Sequence, residues 1–309
     1  MRRAALVMVV FACLVGASPA GAHSRAPAVA LDYRLELAAE VPSGLHAEVV
    51  DGDRALRLRV DPPHRVVVRG LLGEPALRFA PDGVWANRAS PTADADKLVR
   101  RGSGWERLTT SHTLLWHDHR LAPPASLRPG KSAGWSLPLV VDGRAGKLEG
   151  TFTRVARPPL WPWLAAGLVA LVAVAAFARA TPRRRPATAS AFAAIAATGA
   201  LAASTAFATG DAITRSAQWI EVASAALLAV LAAAALLFGN RSLRTWTAMV
   251  VGVVASALAL GSLGVFRHGV VVSSLPAVLA RLATAVALFG GAAAVVLAAL
   301  TPTNRGARR

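Results

Sequence analysis

Two hydrophobic patterns divide this chain. Between residues 29 and 155, apolar and polar positions alternate in short runs, the period of half-buried β-strands. The runs are Ala30–Ala38, Leu45–Val50, Ala55–Val60, Arg65–Arg69, Ala76–Phe79, Val84–Asn87, His112–His117, Ser132–Val140 and Gly146–Arg154. Turn formers separate them: Pro42-Ser43-Gly44, Asp51-Gly52-Asp53, Pro62-Pro63, Pro81-Asp82-Gly83, Pro123-Pro124 and Asp142-Gly143. Asp142-Gly143 lies between two alternating runs and predicts a two-residue hairpin. Residues 88–111 are polar and lack a period, which predicts a long loop. Short strands with frequent turns predict an antiparallel, Ig-like β-sandwich.

Beyond residue 158 the pattern changes. A bilayer core needs about 20 apolar residues per helix. Five runs meet that length: Leu160–Ala178, Ala187–Ala208, Gln218–Phe238, Thr245–Phe266 and Leu275–Leu300. At the other end, Arg2 and Arg3 precede the apolar run Ala4–Val15 and the small residues Ala20-Gly21-Ala22. That is the layout of a signal peptide cleaved after Ala22, leaving His23 as the new N-terminus. An uncleaved anchor, or a lipoprotein at Cys13, are the other readings of the same segment. The expected domains are therefore a signal peptide (1–22), an extracytoplasmic all-β sandwich (23–158), five transmembrane helices (159–300) and a basic cytoplasmic tail (301–309).

Composition adds a location for the charge. The chain has 309 residues, is 54% hydrophobic, and carries a formal charge of +17. Residues 23–158 hold 20 basic against 15 acidic side chains, whereas residues 159–309 hold 12 Arg against only Asp211 and Glu221. The basic excess thus belongs mostly to the apolar half, which is a membrane pattern and not that of a nucleic-acid binder. Arg179, Arg183–Arg185, Arg241, Arg244, Arg305, Arg308 and Arg309 fall on one side of the predicted spans, and Arg215 and Arg267 on the other. The positive-inside rule then places the C-terminus in the cytoplasm and residues 23–158 outside, in a plasma-membrane protein.

Candidate chemistry is sparse. The sole cysteine, Cys13, lies in the leader, so a cleaved chain has no disulfide and no thiol nucleophile. Hydrolase, metalloprotease, P-loop and dinucleotide motifs are absent, which argues against an enzyme and leaves no catalytic candidate. Glu221 and Arg281 fall at similar helical depth and form a candidate intramembrane ion pair. Gly252 with Ser256, and Gly290-Gly291, read as helix contacts.

Histidine stands out. Six of the seven precede the apolar half: His23, His46, His64, His112, His117 and His119. On a strand His117 and His119 share one face, about 7 Å apart. Imidazoles without cysteine in an oxidising compartment favour Cu(II), then Zn. His23 adds an α-amine beside its ring, and His112 offers a further nitrogen. Asp118 and Glu74 are candidate orienting carboxylates. The plainer reading of the cluster is a packed Trp116 with Asp118 paired to Arg120.

Two stretches carry a resemblance. Val68–Phe79, continuing through Pro81-Asp82-Gly83-Val84 to Asn87 and Ser90-Pro91, and Trp116-His117-Asp118-His119-Arg120, resemble a group of uncharacterised membrane-anchored outer domains of high-GC bacteria. In that group the histidine motif runs on into further His and Trp, where this chain has Leu121-Ala122-Pro123-Pro124. In architecture the chain also looks like periplasmic copper-resistance sandwich proteins fused to a membrane bundle. Two functions are expected: a non-enzymatic membrane protein that binds or senses copper through His117, His119, His23 and His112, or a membrane-anchored module docking an envelope partner. In the second, Trp85, Trp105 and Lys97–Arg101 carry the contact.

Overall fold

The structure is a computed structural model that describes residues 30–38, 40–50, 55–210 and 215–301, without the side chains of residues 215–217. The chain divides into two compact units at Arg157 and Pro158. The predicted leader and C-terminal tail lie outside the described residues.

The first unit is built from antiparallel strands: β1 (Tyr33–Leu37), β2 (Leu45–Val50), β3 (Ala55–Val60), β4 (Val66–Arg69), β5 (Pro75–Ala80), β6 (Gly83–Asn87), β7 (Trp105–Thr109), β8 (Thr113–His117), β9 (Ser132–Val141) and β10 (Arg144–Arg154). A seven-stranded sheet runs β1-β10-β9-β4-β5-β6-β7, and a three-stranded sheet runs β2-β3-β8. Both sheets contribute to one core. Leu56, Leu58, Val60 and Trp116 come from the small sheet, and Val66, Val68, Leu77, Phe79, Leu137, Leu139, Leu148 and Phe152 from the large one. Alternation explains the sidedness. On β9, Trp135, Leu137 and Leu139 are buried while Gly134, Ser136 and Pro138 are exposed. Each fully buried Leu or Phe contributes about 1.5–3 kcal/mol, so this shared interior holds the sheets together. The seven-plus-three split differs from the four-plus-three of a constant immunoglobulin domain.

The predicted hairpin forms: Val141 pairs with Arg144, and Asp142 and Gly143 take positive φ values of 49° and 82°. That is the geometry a two-residue turn of matching twist requires. Residues 88–111 are not a plain loop. They hold a short helix, α1 (Pro91–Ala95), and strand β7. Ser90 caps α1 through Oγ, which accepts from the Ala93 N–H at 3.2 Å, with Pro91 preset for the first turn. Strand β7 shows no clean alternation because it closes the edge of the sheet, beyond the core's reach.

The second unit contains five helices long and apolar enough to cross a membrane: α2 (Trp161–Ala180), α3 (Arg185–Gly210), α4 (Arg215–Phe238), α5 (Arg241–Gly261) and, after the short α6 (Gly264–Arg267), α7 (Ala277–Ala299). The most apolar windows of α3, α5 and α7 are half buried or more, at 56%, 50% and 50%, against 17% and 22% for α2 and α4. The first three therefore form the interior. Small residues let them approach. A Cβ added at Gly252 of α5 would lie 2.6 Å from the Gly291 carbonyl oxygen of α7, and one at Gly199 of α3 would lie 2.9 Å from that of Ala283. Ser256 Oγ donates to the Leu288 carbonyl at 3.1 Å across the same seam. The Gly252–Ser256 and Gly290-Gly291 patches are thus two halves of one contact. The outer helices instead turn Leu164, Leu168 and Val172 of α2, and Ile220, Leu227 and Val230 of α4, outward.

Substituting Gly252→Leu should destabilise the bundle by about 1–3 kcal/mol or more, since the facing backbone has no room to yield. Gly261→Ala, with open space around the new methyl, should leave stability unchanged. Thermal unfolding of the detergent-solubilised protein distinguishes the two.

Candidate functional site

The two stretches that carry the resemblance meet in space. Asp118, just after β8, is buried to 1% exposure. Its Oδ2 accepts from Trp116 Nε1 at 3.2 Å and from an Arg120 terminal nitrogen at 2.6 Å, and its Oδ1 accepts from Arg120 Nε at 2.8 Å. Two parallel donors from one guanidinium make this a bidentate pair. The other terminal nitrogen of Arg120 donates to the Arg69 carbonyl, at the end of β4. Because β8 and β4 belong to different sheets, the pair ties the sheets together at this corner.

His119 follows Asp118 and starts a single 3-10 turn, His119–Leu121. Its Nδ1 donates to Asp96 Oδ1, and the Asp96 side chain is only 2% exposed. Burial pushes the Asp96 carboxyl up, the His119 hydrogen bond opposes that, and nearby Asp118 raises it further. Glu74 completes this polar corner. Its Oε1 accepts from Ser90 Oγ at 2.7 Å and from the Thr92 N–H at 3.3 Å, and its Oε2 accepts from the Leu72 N–H at 3.0 Å. Burial alone would raise the Glu74 carboxyl, but the hydrogen bonds from Ser90 and Thr92 outweigh it and hold it at about 2.

These placements revise the expected metal site. Asp118 orients no histidine: it is saturated by Trp116 and Arg120. Glu74 orients none either: it anchors the start of α1. The carboxylate that does hold a histidine is Asp96, 23 positions away in sequence. His117 is the exposed last residue of β8. His112 has its carbonyl bonded by the Val60 N–H at 3.1 Å. His46 Nε2 meets Asp61 at 2.7 Å, and His64 Nδ1 meets Asp142 at 2.6 Å. His23 lies outside the described residues. Among the described residues no group of three or more His, Cys, Asp or Glu side chains is placed to hold a metal ion.

The intramembrane pair is also redirected. Arg281 Nε donates to the Val265 carbonyl at 2.8 Å, and a terminal nitrogen to those of His268 and Gly269 at 3.0 and 3.3 Å. It therefore satisfies the carbonyls in and just after α6, while Glu221 sits exposed on α4. A guanidinium reaching several carbonyls at once is saturated without a carboxylate.

A third grouping lies on the outward face of the large sheet. Arg78 of β5 pairs across the ladder with Trp85 of β6, and Trp85 with Arg107 of β7. The Arg78 guanidinium lies 5.3 Å from the Trp85 ring centre and 4.9 Å from that of Trp105, and Arg107 lies 5.7 Å from Trp85. Each such contact is worth about 0.5–1 kcal/mol at an exposed site and holds the charged group in place. Trp85 and Trp105 were legible as candidates; Arg78 was not, because only strand pairing brings it between them. Comparison of the chain with known protein families, with characterised proteins and with solved structures found no match.

Asp118→Ala should cost about 3–5 kcal/mol, the usual penalty for stranding one partner of a buried pair, seen as a lower urea midpoint for the outer domain. Glu74 adds a pH dependence. Its folded-state value lies below the ordinary 4.5, so its contribution is present above about pH 4.5 and is lost as pH falls toward 2. Glu74→Gln should flatten that acid limb, as read by tryptophan fluorescence against pH.

Proposed function

We propose that this chain is a non-enzymatic, multi-pass plasma-membrane protein whose two-sheet domain is an interaction module for an envelope partner. The signal-peptide pattern and the arginine asymmetry support an outer domain outside the cell and a cytoplasmic C-terminus. The observation that carries the reading is the interleaved row Arg107, Trp85, Arg78, Trp105 on the solvent-facing side of the large sheet. Trp and Arg are the side chains most enriched at contact centres, where large area and charge are offered at low conformational cost. The five helices anchor the module in the bilayer and pack by small residues, with their buried arginines committed to helix ends.

A second reading, Cu(II) or Zn binding through His117 and His119 with His23 or His112, draws on one specific observation. A carboxylate on Nδ1, as Asp96 provides for His119, is the usual way a metal-binding imidazole is oriented.

One experiment separates the two. Affinity-tagged full-length protein should lose its co-purifying partner when Trp85 and Trp105 are replaced by Ala, and retain it when His117 and His119 are. In parallel, Cu(II) and Zn titration should give the same binding for wild type and the double-histidine variant. Metal binding that disappears in that variant, with the partner unaffected by the tryptophan changes, would reverse the assignment.

A further inference from the structure

The Arg/Trp face ends at a strand that has nothing beyond it. Strand β7 closes the seven-stranded sheet, and among the described residues its far side pairs with no other strand. A row of unpaired N–H and C=O groups is a template for one more strand. Beside it, residues 97–107 carry Lys97, Arg100, Arg101 and Arg107 against the single acid Glu106. All four cations are exposed. Glu106 faces Arg88 at 3.7 Å, and no ion pair forms for Arg78, Arg100, Arg101 or Arg107 among the described residues. Arg78 Nε and Trp85 Nε1 are buried and have no acceptor there. Donors left so are uncommon and mark positions where a fold accepts a cost.

From this arrangement we infer that β7 receives an extended, acidic segment of the partner protein, added as a further strand whose carboxylates meet the stacked guanidinia. This rests on the interaction-module reading and names the partner's chemistry. Charge complementarity selects the occupant: guanidinia held flat on indole rings are preorganised for carboxylates, while the free strand edge calls for a peptide backbone that a lipid headgroup or a phosphate polymer lacks. A second copy of the chain fits poorly, because edge-to-edge pairing of two β7 strands would bring like charges together.

The test uses full-length protein in detergent and a short fluorescein-labelled peptide of alternating glutamate and threonine, read by anisotropy. The same peptide with alternate backbone nitrogens methylated keeps its charge but cannot pair as a strand. The expected result is binding of the first peptide, loss with the methylated one, and weakening by about tenfold in Arg78→Gln/Arg107→Gln, the effect of losing one charge-assisted contact. Arg107→Glu, at an exposed edge position on which the core does not depend, should shift preference to a lysine–threonine peptide. Equal binding of the methylated peptide, of polyphosphate or of phosphatidylglycerol vesicles would overturn strand addition in favour of a general polyanion site. Failure of every probe, with the partner still lost on replacing Trp85 and Trp105, would overturn the acidic strand and leave the module standing. Failure of both would remove the module as well.

Discussion

The buried pair of Asp118 and Arg120 is the interaction on which the outer domain's corner depends. A carboxylate at 1% exposure is tolerable only if its lone pairs are filled, and here a bidentate guanidinium and the Trp116 indole fill them. The same guanidinium then reaches the Arg69 carbonyl on the other sheet, so one charge pair fixes how the two layers close at that end. Its neighbours follow from it. His119 is turned toward Asp96, which locks the C-terminal end of α1, while Glu74 and Ser90 lock its start. A segment with little apolar content, residues 88–104, is held by polar contacts instead of by a core of its own.

Arginine plays a comparable part in the helical unit. Arg185 donates to the carbonyls of Ala178 and Leu300, Arg244 to those of Ala235 and Leu236, and Arg281 to those of Val265, His268 and Gly269. Each satisfies carbonyls that a helix end leaves without an intrahelical donor, where water is scarce. That use explains how a buried cation persists without an acid. It also separates these arginines from the stacked pair on the large sheet, whose guanidinia face outward and carry no ion pair among the described residues.

Much of the molecule was legible in the linear pattern. Leu45–Val50 and Ala55–Val60 form strands over the ranges that their alternation marks, because burying one face of a pleated strand demands a period of two. Asp142-Gly143 turns where its chemistry predicts, since its two positive φ values suit Asp and Gly. Gly252, Ser256 and Gly290-Gly291 were legible as contacts, though not as each other's partner. The segment 88–111 was misread, because α1 is too short to show a helical period and edge strand β7 has no core to impose one. Only the pair Ser90-Pro91 signalled the helix start.

The sequence by itself determined the two-part architecture, the number of long apolar helices and the turns, because those depend on local period, length and backbone preference. Tertiary structure alone decided the chemistry. Asp96 meets His119 from 23 residues away, Arg120 reaches Arg69 across 51, and Arg78 slips between Trp85 and Trp105. A hydrogen bond or a stacked charge is a property of position in space, and strand register and sheet packing set that position. No spacing along the chain encodes it.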